Sequence, residues 1–296
     1  MTGSLAALIP ALVAVAGWSV FATLAHGVKG APVFTVLVWE FAAAAAGTGV
    51  AAWLVARRTG RPLRTGPRSV AIAALGQFGF NVLFLAALPL APTAHVNLTA
   101  YLWPALVVLA LPLIERTPFR PSAVLGAGLG FAGVALLIAG PTALAGTGSP
   151  LGYALAFACG ASWAAYSLLR RFAPHDTGPT LAVAFALSAL GAAAIAGVRG
   201  DPLIPETRVL LFAAAIGLIP IALANSAWDV AIRTGERGRA ALLSYAVPIF
   251  STLILVALTE ERLGPTLALA ALLVSAGVAW PEIAARRARK AAGRAP

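Results

Sequence analysis

What most constrains this chain is a succession of long apolar runs separated by short, breaker-rich loops. A bilayer core about 30 Å thick is crossed by about 20 apolar residues in a helix. Measured with that ruler the sequence holds ten runs, at 5–25, 33–56, 70–89, 93–114, 122–140, 150–169, 179–198, 209–231, 240–258 and 266–283. Lipid offers no water to backbone N–H and C=O groups, so each run must close its own hydrogen bonds as a helix. The connections carry the breakers, as in Arg57-Arg58-Thr59-Gly60-Arg61-Pro62 and Gly264-Pro265. Pro89 and Pro92 divide what would otherwise be one long segment.

Composition excludes a soluble alternative. Of 296 residues, 60% are apolar and 10% charged, and the mean hydropathy is +0.90. Soluble domains carry about 25% charged residues. A net charge of +11 would suggest nucleic acid in a soluble protein, but its distribution gives a different meaning. With the N-terminus cytoplasmic, that side receives five basic residues in 57–68, two in 116–120, Arg170 and Arg171, three in 233–239 and five in 286–294. The other side receives only Lys29, Arg199, Arg208 and Arg262, a ratio of 17 to 4. Basic residues favour cytoplasmic loops, so both termini are expected in the cytoplasm and no nucleic-acid partner is expected. The single cysteine, Cys159, lies in an apolar run and founds no disulfide framework. The N-terminus lacks the basic region of a signal peptide, so the first run reads as a retained span.

Sliding the chain against itself by 144 residues aligns Asn81 with Asn225, Tyr101 with Tyr245, Pro104 with Pro248, Pro121 with Pro265 and Gly133 with Gly277. Phe84 meets Trp228 at the same offset. The shift advances the chain by five spans, an odd number, so the second half crosses the membrane upside down relative to the first. Inverted repeats are a hallmark of secondary transporters, with the substrate site near the midplane between them. The expected fold is therefore an all-α polytopic membrane protein: ten transmembrane helices as two five-helix inverted-topology repeats around a central cavity. The repeats occupy 1–145 and 146–285, followed by a basic cytoplasmic tail, 286–296. A monomer in contact with membrane lipid is the expected state.

Polar and ionisable groups inside spans cost several kcal/mol if charged and mark candidate sites. They are Glu40, Gln77, Asn81, His95, Asn97, Asn225 and Asp229, with Glu282 at the edge of the last run. Helical spacing places Gln77, Asn81 and Phe84 on one face, Asn97, Tyr101 and Pro104 on another, Asn225, Trp228 and Asp229 on a third, and Trp163 with Tyr166 or Ser167 on a fourth. Asn and Gln in such places also serve simply as interhelical hydrogen-bond partners, contributing about 0.6–2 kcal/mol. Trp53 and Trp280, near span ends, read as interfacial anchors. Trp18, Trp103, Trp163, Trp228, Tyr101 and Tyr245 lie deeper and favour a cavity wall.

Glu40 is a candidate coupling carboxylate or a partner to a polar neighbouring helix. His95 stands near the extracellular mouth. Asp229 falls four residues before Arg233, where an i, i+4 pair would satisfy it. Pro104 and Pro248, at matched mid-span positions, are expected to bend their helices and act as hinges. The sequence has no phosphate loop, no Cys/His metal spacing and no Ser-His-Asp set, so no enzyme, metal or cofactor is expected and transport would be driven by a gradient.

With these residues in view the chain resembles the drug/metabolite transporter superfamily, specifically its EamA-type exporters. Pro104-Ala105-Leu106 through Glu115 to Gly126 and Gly133, and Pro248-Ile249-Phe250 through Glu260-Glu261 to Gly277, follow the family's half-ending pattern. Trp18-Ser19, Tyr101-Leu102-Trp103-Pro104, Ser162-Trp163-Ala164-Ala165-Tyr166, Ala227-Trp228-Asp229-Val230 and Ser244-Tyr245-Ala246-Val247-Pro248 are similar to its aromatic amino-acid exporters. Two positions depart: Glu40 stands where relatives often carry Arg, and Asp229 where Asn is expected. The resemblance implies a bacterial inner-membrane secondary transporter that exports aromatic and hydrophobic amino acids by alternating access. It further implies a site formed by Trp18, Asn81, Asn97, Tyr101, Trp163, Tyr166, Asn225, Trp228 and Tyr245. The alternatives are a drug or nucleotide-metabolite exporter of the same superfamily and a membrane receptor without transport.

Overall fold

The structure is a computed structural model that describes residues 9–60, 62–139, 148–170, 177–233, 243 and 246–292. Among these residues the protein is helical throughout, with no strand. In chain order the helices are α1 (Ile9–Ser19), α2 (Phe21–His26), α3 (Val33–Thr59), α4 (Pro67–Ala87), α5 (Thr93–Ala100), α6 (Trp103–Glu115) and α7 (Pro121–Ala139). They continue with α8 (Pro150–Arg170), α9 (Thr177–Arg199), α10 (Thr207–Ile216), a π-helical turn (Gly217–Leu223), α11 (Ala224–Arg233), α12 (Val247–Leu258) and α13 (Pro265–Ala292). Prolines open α4, α7, α8 and α13, where a missing N–H costs nothing because the first turn has no acceptor for it. Gly60 ends α3 with φ of 65°, a conformation that side chains with a Cβ rarely adopt.

Among the described residues eight helical segments are long and apolar enough to cross a bilayer: Ile9–His26, Val33–Thr59, Pro67–Ala87, Thr93–Glu115, Pro150–Arg170, Thr177–Arg199, Thr207–Trp228 and Pro265–Ala285. They coincide with eight of the ten runs expected from sequence. Pro121–Leu137 and Val247–Leu258 are shorter apolar helices. Helix α13 runs on from the last span into the basic stretch, as far as Ala292.

The bundle is apolar outside and small-residue inside. Leu75, Leu190, Val198 and Leu258 face outward, whereas Ala14, Ala44, Ala73, Ala156, Ala184 and Ala270 are fully buried. Lipid does not drive apolar side chains together, so membrane helices associate through close backbone approach over small residues. Gly217 shows how close: a Cβ there would overlap the backbone oxygen of Glu40. In the same way Gly126 and Gly277 let α7 and α13 touch, each lying where a Cβ would sit 2.5–2.6 Å from the other's carbonyl oxygen.

Neighbouring helices follow a regular exchange. Helix α3 lies on α9 and α7 on α13, while α4 rests on α8 and α11 on α1. Likewise α5 and α6 meet α8 as α12 meets α1, and α3 meets the π turn as α9 meets α4.

Two prolines behave differently from the hinges expected within continuous helices. The fourth span is broken at Tyr101 and Leu102, and Pro104 occupies the first turn of the new helix α6. Pro248 likewise occupies the first turn of α12. A proline placed there ends no helix; it lacks the N–H that would bond the carbonyl four residues back, so the hydrogen-bond ladder is interrupted ahead of it. The deeper irregularity is Pro220, inside the π turn of the eighth segment.

Candidate functional site

A cavity of about 500 Å³ opens within the bundle. Trp18, Asn81, Asn97, Tyr101, Trp163, Tyr166, Asn225 and Trp228, eight of the expected site residues, line it, and so do Pro104 and Pro248. Tyr245 lies outside the described residues, as does the side chain of Asp229 with its expected partner Arg233. Lining residues come from α1, α2, α4, α5, α6, α8, α9, the π turn, α11, α12 and α13. Pro104 after the break in the fourth segment, Pro248 in the first turn of α12 and the π turn in the eighth segment all border the cavity.

Among the described residues nine aromatic side chains stand in the wall. Trp163 is the hub: Phe80 lies 5.2 Å away edge-on, Tyr166 5.3 Å and Trp103 6.4 Å between ring centroids. Phe21 joins this group to Phe80 and Phe84 at 5.9 and 4.7 Å. A second pair, Trp18 and Trp228, sits at 5.2 Å. Such separations are the favoured tilted and edge-on arrangements. Phe21 and Phe80 were not singled out in sequence, because a phenylalanine in a span carries no signal that separates wall from packing.

The amides divide by occupation. Asn225 accepts a hydrogen bond from the Trp18 indole N–H at 3.1 Å, and Asn97 donates to the Ser251 hydroxyl at 3.0 Å. These two act as interhelical ties as well as lining. Asn81 donates to the Gln77 backbone carbonyl at 2.9 Å, and its amide oxygen is buried with no partner among the described residues. That oxygen is an open acceptor in the wall, and a buried acceptor left unmade costs about 1–3 kcal/mol. Gln77 also lines the cavity.

The ionisable candidates are placed elsewhere. Glu40 is fully buried on α3, both carboxylate oxygens lack a hydrogen-bond partner among the described residues, and it does not line the cavity. His95 is buried against Tyr153, its Nδ1 2.6 Å from the phenol oxygen, and is likewise off the cavity. Among the described residues the charged group that does border the cavity is Arg170, a residue that charge counting assigned to a loop.

The two ends of the bundle differ. At the end where α2 finishes, His26 meets Thr93 at 2.8 Å and Glu260 at 3.4 Å, and Glu261 accepts the Thr93 backbone N–H at 2.7 Å. Ser149 N–H also bonds Leu90 there. These contacts tie α2, α5 and the α12–α13 loop across that end. The cavity reaches toward the opposite end, where Arg170 and Thr177 line it. Among the described residues no group of three or more His, Cys, Asp or Glu could hold a metal ion.

Comparison with known proteins fits this arrangement. Residues 1–139 and 150–280 match the EamA-like transporter family. The aromatic amino acid exporter YddG of Ancylobacter novellus is 34% identical over 276 residues, covering 91% of this chain and 94% of that protein. A solved crystal structure, 30% identical, superposes with a TM-score of 0.71 and covers 95% of this chain and 98% of its own. On the family match across both halves and on whole-length similarity, this chain belongs to the EamA-like transporter family and is a multi-pass membrane transporter.

Proposed function

We propose that the protein exports aromatic and other hydrophobic amino acids by alternating access of the central cavity. The observation that carries this reading is the ring of aromatic side chains around Trp163 inside a cavity large enough for one amino acid. A substrate ring would stack against Trp163, Phe80 and Trp103, and the open oxygen of Asn81 would accept from its ammonium group. An apolar pocket discriminates weakly, about 1–3 kcal/mol per methylene, so the substrate range would be broad. A lipophilic cation would want an acidic wall, but Glu40 is off the cavity and Arg170 is on it. In proteoliposomes the protein is expected to accumulate labelled phenylalanine and tryptophan, with threonine taken less well. Absence of flux for all three would sink the assignment.

The same reading arranges ten spans as two inverted repeats, 1–145 and 146–285, with both termini and the tail 286–296 in the cytoplasm of a bacterial inner membrane. It is supported by the exchanged packing of helices and by the family match in two stretches. At single residues, Gly126 meets Gly277 and Gly133 meets the Ala270 carbonyl. The 144-residue shift converts one contact into the other.

On this topology the end tied by His26, Thr93, Glu260 and Glu261 is the extracellular gate, drawn shut. Glu260 is held below the ordinary carboxylate range by a hydrogen bond from its own backbone N–H, then by the hydrogen bond and charge of His26, with a weaker contribution from Arg208. A lowered value means its contribution to closure is present above the ordinary carboxylate range and is lost as pH falls through the lowered one. Glu260 is exposed, so that contribution is screened by salt. Glu261, which caps the N-terminus of α5, is the stronger tie. Glu261→Ala is expected to lengthen the distance between spin labels on the loops at 27–32 and 259–264, and acidification to add to it. Unchanged distances in the variant would show that these contacts do not hold the gate.

A further inference from the structure

We infer that Arg170 is a carboxylate-recognition residue at the mouth of the cavity and restricts its occupants to molecules bearing an acid group. This rests on the amino-acid reading above and deepens it. Arg170 closes α8 and lines the cavity. Its Nη2 donates to the Thr177 hydroxyl at 3.2 Å across to α9, while Nη1 is buried and has no acceptor among the described residues. Among the described residues no carboxylate pairs with it. A guanidinium stays charged in any protein environment and carries five N–H donors in a fixed fork. A buried, unused edge of that fork beside a cavity therefore calls for an anion, and its planar geometry matches a carboxylate with two parallel hydrogen bonds.

The position selects the kind of acid. Trp163, Tyr166, Ser167 and Arg170 fall at i, i+3, i+4 and i+7 on α8 and all line the cavity, so one helix face carries the aromatic hub and the cation. Seven residues of helix separate Trp163 from Arg170 by about 10 Å along the axis. The flexible arginine side chain spans much of that distance, leaving room for a molecule whose ring and carboxylate are a few bonds apart. Asn81 lies deeper. Gly76 faces Tyr166 and Gly79 faces Ser162, so α4 runs antiparallel to α8 and carries Asn81 beyond Trp163, away from Arg170. Arg170 thus meets the carboxylate where a substrate comes in from that end, before the ammonium acceptor is reached.

The test uses the full-length protein and two probes, phenylalanine and phenylalaninamide, which share ring and ammonium and differ in the carboxylate. Wild type is expected to prefer phenylalanine by about tenfold or more, the ratio that one charge-assisted hydrogen bond supplies. Arg170→Gln should raise the KM for phenylalanine by a similar factor with little change in maximal rate, and should abolish the preference. Arg170→Lys, which keeps charge but not the fork, should restore part of it. Wild type that binds both probes equally, or Arg170→Gln that retains the preference, overturns the assignment. The wild-type comparison decides even if the glutamine variant fails to fold. Wild type that binds neither probe overturns the amino-acid reading itself and this assignment with it, an outcome distinct from equal binding.

Discussion

Trp163→Ala is expected to lower kcat/KM for phenylalanine export by about tenfold to a hundredfold while leaving the protein folded. The indole is the common neighbour of Phe80, Trp103 and Tyr166. Its removal takes away both the stacking surface for the substrate and the ring that holds the others in place. Each aromatic pair contributes about 0.5–1.5 kcal/mol beyond the area it buries, and two such losses in the loaded state reach the stated range. Folding is spared because Trp163 is only half-buried and lines the cavity. Trp163→Phe, which keeps a ring, should lose much less. The measurement is initial uptake against substrate concentration in proteoliposomes, with size-exclusion behaviour as the folding check. Wild-type kinetics in Trp163→Ala would remove the residue from the site.

Gly277→Leu is expected to abolish the stable protein. A Cβ at Gly277 would lie 2.5 Å from the Gly126 oxygen and 2.6 Å from the Gly130 nitrogen. Both are main-chain atoms on α7 and can yield only if the whole helix moves. Overpacking a tight contact costs about 1–3 kcal/mol even for small additions, so Gly277→Ala should already lower the thermal midpoint in detergent measurably. Gly128→Ala is the control: it is on α7 as well, but a Cβ there meets nothing within 4 Å, and it should leave the midpoint unchanged. If Gly277→Leu melts like wild type, α7 and α13 do not meet as described.

Much of the molecule is legible in the sequence because lipid imposes local rules. The length and apolarity of each run mark spans without reference to neighbours, and eight runs correspond to membrane-length helices in the structure. Helical period alone grouped Asn81, Asn97, Tyr101, Trp163, Asn225 and Trp228 onto faces, and these six meet at one cavity.

What the period cannot give is the absolute rotation of each helix, because that depends on partners distant in the chain. Glu40 and Arg170 illustrate it. Both are charged residues in or at the end of a span, and only packing turns Glu40 away from the cavity and Arg170 toward it. Occupation of hydrogen bonds is non-local for the same reason. Asn97 and Asn225 are engaged by Ser251 and Trp18, 154 and 207 residues away in sequence, while the oxygen of Asn81 is left open. Nor does a proline's presence say whether it bends a helix or begins one, as Pro104 and Pro248 do.

The sequence by itself determined the membrane setting, eight membrane-length helices and the aromatic character of the cavity wall, since each follows from residues within about two dozen positions of one another. Tertiary structure alone decided which side chains share the cavity, which polar atoms remain free, and where the cation sits. Those depend on contacts between helices of opposite halves, and a one-dimensional pattern carries no information about how two helices are turned to face each other.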